Sequence, residues 1–187
     1  DGVPKKRLEL MSEYKGTRKY HDKDGFRAQK KKIVQIVKDD LPFITIRHPE
    51  AEADDVIANL AIKTIPQDHE KIVVSSDTDF IQLLTNPNTS LYNPVKKKYI
   101  EPFPLNYVQW KALRGDSADN IHGFKGIGDK RATKLLENRE SLYEFLDSYS
   151  YSYSYFCLYV YAYLYCYFYL YVHVRFPVWR LPLSGLN

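Results

Sequence analysis

Carboxylates recur in this chain where apolar runs stop. In "VVSSDTDFIQLL" (residues 73–84), an apolar run passes through Ser75 and Ser76 into Asp77 and Asp79, and apolar residues then resume at helical spacing. Glu52, Asp54 and Asp55 stand in "EADD", between a strand-like segment and a helical pattern. Asp116 and Asp119 stand in "RGDSADN", and Asp1 opens the chain. Like charges this close repel each other, and burial worsens the repulsion, so a cation is expected between them. Oxygen donors without Cys or His suit Mg²⁺, with Mn²⁺ as a substitute. Mg²⁺ keeps several waters, so two ions fit such a pocket. Two ions about 4 Å apart stabilise the attacking and leaving oxygens of a phosphodiester displacement. Taken singly, "EADD" also reads as helix capping and "SSDTD" as a solvated turn. Taken together, the groups favour a metal centre.

A second set of residues suits phosphate. "GFKGIGDKRATKLL" places Gly123, Gly126 and Gly128 ahead of a helix, with Lys130, Arg131 and Lys134 beside it. Glycines allow close backbone approach, and N–H groups at a helix start favour an anion, which fits recognition of a DNA backbone without reading its sequence. "EYKGTRKY" interleaves Tyr14 and Tyr20 with Lys15, Arg18 and Lys19, so that cations can meet phosphates and aromatics can stack on unpaired bases. The "KKK" at 96–98 reads as a solvated hairpin.

These residues need elements to hold them. Ile33, Ile36, Val37 and Leu41 recur at helical spacing and predict a helix over about 27–40. "FITIR" (43–47) predicts a short strand between two prolines. "EADDVIANLAIKTI" predicts a helix with acids in its first turn, and "KIVVSS" a buried parallel strand. "TSLYNPVKKKYIEP" predicts two strands around Asn93-Pro94, "PLNYVQWKALRGD" a helix, and "ADNIHGFKGIGDKRATKLLEN" two helices around a Gly-rich turn. Strand and helix in alternation imply an α/β layer, and ligands of such sheets collect beyond the carboxyl ends of the strands.

The 187 residues suit one domain with an appendage. Residues 1–148 hold 25 basic and 23 acidic side chains, so bulk charge points to no partner. Cys157 and Cys166 both fall late, with neither a disulfide framework nor zinc spacing. With no signal-peptide pattern, a cytoplasmic protein is expected, in a bacterial or phage-infected cell. The opening "DGVPKKRLEL" has no initiator Met and reads as a fragment lacking an N-terminal part. From 149 to 171, Tyr occupies nearly every odd position. Period two fits a strand, and the uncharged run is long enough for a membrane span. Its regularity fits a translated nucleotide repeat better, so 149–187 is read as a low-complexity tyrosine-rich tail outside the native fold.

The combination of "DG…R…EYKGTR", "EADD", "SSDTDF" and "GDSADNIHGFKGIG" resembles the 5′ nuclease superfamily of flap endonucleases and 5′-3′ exonucleases, the bacteriophage enzymes above all. The resemblance covers residues 1 to about 147. It implies a PIN-like parallel sheet with helices on both faces, a helical arch, and a helix-3-turn-helix at about 116–137. By motif, Asp1, Glu52 and Asp54 would hold the first metal, and Asp77, Asp79, Asp116 and Asp119 the second. Asp55 would be a supporting acid of the same metal site. Lys15 and Arg18 resemble catalytic residues at the base of the arch, and Arg7 a further one. Gly126, Ile127, Gly128, Lys130, Arg131 and Lys134 resemble the duplex-binding hairpin, which holds K⁺ in some members. Two departures are expected: an upstream strand with its own Asp is absent, and the helices that follow residue 148 in the family are replaced by the tail.

The resulting expectation is a structure-specific 5′-3′ exonuclease or 5′-flap endonuclease acting through two Mg²⁺ ions. Its substrates would be DNA with a 5′ end or flap and RNA–DNA primer junctions in replication, with a polymerase as partner, no membrane, and a monomeric state. The alternatives are a DNA-binding fragment without catalysis and a PIN-like ribonuclease, which the helix-3-turn-helix disfavours.

Overall fold

The computed structural model describes residues 5–17 and 23–148. Asp1, Arg18, Tyr20 and the tail from 149 onward lie outside the described residues.

Two helices come first, α1 (Lys5–Leu10) and α2 (Lys23–Asp39), the latter starting four residues earlier than the periodicity predicts. "FITIR" follows in extended form, but no strand pairs with it among the described residues. An extended run becomes a strand through its ladder partner, and here Phe43, Ile44 and Ile46 remain exposed.

Helix α3 (Ala53–Asn59) carries Asp54 and Asp55 in its first turn, where carboxylates suit the helix dipole. Asp55 Oδ2 accepts from the Glu52 N–H at 2.9 Å and fixes the entry into the helix. The helix runs on as a π-helical turn (Leu60–Thr64).

Strand β1 (Lys71–Val74) pairs in parallel with β2 (Thr89–Asn93), and β2 pairs antiparallel with β3 (Lys98–Tyr99). The sheet is therefore small and mixed. Val73 faces Leu91 across the parallel pair, and both join Ala58, Ala61, Phe80 and Leu83 in the first core. The predicted burial on both faces fails here: Ile72 is 48% and Val74 64% exposed, because among the described residues the helices cover one face.

Between β1 and β2 the chain forms a 3₁₀-helix (Thr78–Thr85). Asp77 caps it, its Oδ1 accepting from the Asp79 N–H at 2.9 Å.

Helix α4 (Tyr107–Arg114) starts at Asn106, whose Oδ1 accepts from the Gln109 N–H at 3.0 Å. It ends at Gly115 in the left-handed region, φ +78°. Strand β4 (Gly115–Asp116) then pairs with β5 (Ile121–His122) across a single 3₁₀ turn (Ser117–Asp119). A helix predicted from "ADNIH" is thus reduced to one turn. Asn120, at φ +60°, ends it and sends the chain back. The return is very close: a Cβ on Gly115 would lie 2.2 Å from the Gly123 nitrogen. Only glycines permit that crossing.

The last elements are α5 (Asp129–Glu137) and α6 (Arg139–Ser148). Leu113, Ile127, Ala132 and Leu135 form a second core beneath them. No helix among the described residues is long and apolar enough to cross a membrane.

Candidate metal centre

Three of the described elements end at one place. Asp79 sits in the first turn of the 3₁₀-helix after β1, Asp116 in β4, and Asp119 at the close of the turn between β4 and β5. One carboxylate oxygen from each lies within 4.8 Å of the other two. Local hydrogen bonds set these positions: Asp116 Oδ1 accepts from the Ala118 N–H at 3.0 Å, and the Asp119 carbonyl accepts from the Lys15 N–H at 3.0 Å.

Lys111 reaches this group from α4. Its Nζ is 2.7 Å from Asp79 Oδ1 and also contacts Asp116 Oδ2, and the residue is only 6% exposed. Burial works against the Lys111 ammonium, but Asp79 and Asp116 outweigh it and raise its pKa above the ordinary lysine value. Burial pushes the Asp116 carboxyl up, yet the Lys111 hydrogen bond holds it below its usual range.

A second group lies beside the first. Arg7, 3% exposed, forks onto Asp55 with N···O distances of 2.8 and 2.6 Å and reaches Glu52 Oε2 at 2.7 Å. Lys15 Nζ is 2.6 Å from Glu52 Oε1 and 3.9 Å from Asp119 Oδ1. The Tyr14 hydroxyl lies 3.0 Å from Glu52 Oε2 and 3.2 Å from Asp119 Oδ2, and donates between the two groups. Burial raises the Glu52 carboxyl, but Lys15 and Arg7 prevail and lower it. Asp54 moves the other way. Burial, then the charges of Asp77 and Glu52, push its pKa up to about 6.

The donor set fits a hard divalent cation: carboxylate oxygens of Asp79, Asp116 and Asp119 converge from separate segments.

The expected residues thus divide. Asp79, Asp116 and Asp119 come together; Asp77 is an exposed cap at the edge, close enough to act on Asp54. Both Asp55 oxygens face Arg7, so Asp55 braces the site. Two of the residues expected at the DNA are buried. Tyr14 was expected to stack on bases, but it is 7% exposed and its hydroxyl is engaged by the acids, so its ring is not available. Within the turn expected to form the duplex-binding hairpin, the Ile127 side chain is packed in the second core. Gly126 is in the left-handed region at φ +79°, a Cβ on Gly128 would meet nothing within 4 Å, and Lys130, Arg131 and Lys134 are exposed on α5. Sequence reasoning missed Lys111. The available signal is a lysine one turn after Tyr107, on the buried face of α4.

Residues 1–111 match the family model for the 5′-3′ exonuclease N-terminal resolvase-like domain, and residues 103–154 that for the 5′-3′ exonuclease C-terminal SAM fold. DNA polymerase I of Thermus thermophilus is 35% identical over 156 residues, covering 78% of this chain and 18% of that protein. DNA polymerase I of Mycobacterium tuberculosis is 33% identical over 155 residues, covering 76% of this chain and 17% of that protein. The chain therefore spans less than a fifth of either relative. Among solved structures, the flap endonuclease of bacteriophage T5, in a pseudo-enzyme-product complex with DNA and metal ions, superposes with a TM-score of 0.66 at 22% identity. That match covers 89% of this chain and 73% of the phage protein. The bacteriophage T5 5′-exonuclease with bound zinc gives a TM-score of 0.55 at 26% identity, covering 73% of this chain and 56% of that one.

Proposed function

The chain belongs to the 5′-3′ exonuclease family, and from that premise we propose that it hydrolyses phosphodiester bonds of DNA at a 5′ end or 5′ flap, using divalent metal ions. The observation that carries this reading is the convergence of Asp79, Asp116 and Asp119 within 4.8 Å. These three residues, with Asp77, would hold one ion; Glu52 and Asp54, with Asp1, would hold a second. Bound there, Mg²⁺ or Mn²⁺ would supply a water of lowered pKa and positive charge for the transition state.

The chain's own residues do the rest. Lys15, held between Glu52 and Asp119, marks where a scissile phosphate would be steered, with Arg18 as its companion. Arg7 keeps Glu52 and Asp55 in place as a positioning residue. Lys130, Arg131 and Lys134 on α5 would grip the backbone of the duplex, the turn bearing the exposed Gly126 and Gly128 would approach it closely, and K⁺ is a candidate ligand of that turn. A helical arch over the site, removal of RNA primers and flaps in replication, action beside a polymerase and a monomeric state complete the proposal.

The test is Asp119→Asn with a labelled 5′-flap duplex and Mg²⁺. Cleavage should fall about a hundredfold or more, while salt-dependent duplex binding stays near the parent level. Undiminished cleavage would remove Asp119 from the metal centre. Duplex binding without any metal-dependent cleavage by the parent would favour a binding module.

A further inference from the structure

Among the described residues, Lys111 is the cation in closest contact with these carboxylates, and it works against taking up an ion. It arrives from α4, between the turns of Tyr107 and Arg114, and is buried where it meets the acids. Its ammonium bridges Asp79 and Asp116, which are far apart in sequence and belong to separate elements. Three carboxylates against the one ammonium in direct contact leave the group negative, and Lys15, 3.9 Å from Asp119 Oδ1, offsets this only in part. An incoming ion meets two carboxylates that each already have one oxygen engaged by Lys111.

We propose that Lys111 is a resident counter-cation of the metal centre, which holds Asp79 and Asp116 together before an ion arrives and lowers the affinity for that ion. This rests on the metal-centre reading above. It predicts two effects of opposite sign when the ammonium is removed. Without an ion, two half-buried carboxylates lose their partner and the fold weakens. With an ion, the competitor is gone and binding tightens. A lysine with a merely structural part would weaken both together.

The experiment is calorimetric titration of the full chain with Mn²⁺, comparing the parent with Lys111→Met, Lys111→Arg and Asp119→Asn, alongside melting curves in EDTA and in Mn²⁺. Lys111→Met should bind Mn²⁺ about tenfold tighter or more, melt earlier in EDTA, and gain more from Mn²⁺ than the parent does. Lys111→Arg, which keeps the charge, should stay within about threefold of the parent affinity. If Lys111→Met does not fold in EDTA, Lys111→Gln carries the same comparison. Equal or weaker Mn²⁺ binding by the neutral variant overturns the role of Lys111 alone, provided that the parent binds and Asp119→Asn does not. A parent that takes up no Mn²⁺ overturns the metal centre and the role of Lys111 together.

Discussion

Two acidic groups, built from the same residue types a few ångströms apart, are neutralised in different ways. Around Glu52 and Asp55 the protein supplies fixed cations. Arg7 forks onto Asp55 and touches Glu52, and Lys15 takes the other Glu52 oxygen. Around Asp79, Asp116 and Asp119 three carboxylates share mainly Lys111, with Lys15 more distant at 3.9 Å from Asp119. The first group is a brace whose charge is settled by folding. The second retains negative charge. Asp54 stands on the seam, and burial, then the charges of Asp77 and Glu52, push its carboxyl up to about 6 against the pull of Lys15. The contrast separates acids matched by fixed cations before any ion binds from acids left with excess negative charge.

The largest break in this contrast is expected at the brace. Arg7→Met leaves Asp55 buried beside an apolar side chain, a loss of about 3–5 kcal/mol, as for other buried pairs with one partner removed. Urea unfolding measures it. A loss under about 1 kcal/mol would mean that the brace is no more than a surface pair.

The seam comes next. With its folded pKa near 6, Asp54 takes up a proton more readily in the fold than in the unfolded chain. Its contribution to stability is therefore fully present below about pH 4 and is lost as pH rises through about 6. Asp54→Asn should flatten that decline and stabilise the metal-free chain at pH 7 by on the order of 1–2 kcal/mol. Unfolding midpoints of both proteins across pH 4.5–7.5 check this, and parallel curves would remove Asp54 from the repelling group.

The smallest effect lies outside both groups. Lys130→Ala should leave stability unchanged, weaken duplex binding less than about tenfold, and reduce the salt slope by about 1. Fluorescence anisotropy at several salt concentrations reads it. An unchanged slope would place the duplex elsewhere.

What could be read from the sequence was local. Asp77 and Asp79 follow a short strand whose last three residues are apolar, and the Ser-Ser-Asp-Thr-Asp turn shows both the end of the strand and its acids. The helix at Glu52, the hairpin at Asn93-Pro94 and α4 come from patterns within one segment. What stayed hidden depends on partners distant in sequence. Arg7 meets Asp55 across 48 residues. Lys111 meets Asp79 through the packing of α4 against the 3₁₀-helix. Tyr14 looks like an exposed aromatic among cations until its hydroxyl is seen between Glu52 and Asp119. "FITIR" has a strand's composition, but among the described residues no strand pairs with it.

The central claim is that the second acidic group is a metal centre, and diffraction at the manganese edge from crystals grown with Mn²⁺ tests it directly. An anomalous peak within coordination distance of Asp79, Asp116 and Asp119, absent from Asp119→Asn crystals, is the predicted result. A map in which Mn²⁺ lies only elsewhere, with these three carboxylates still gathered around Lys111, would contradict it.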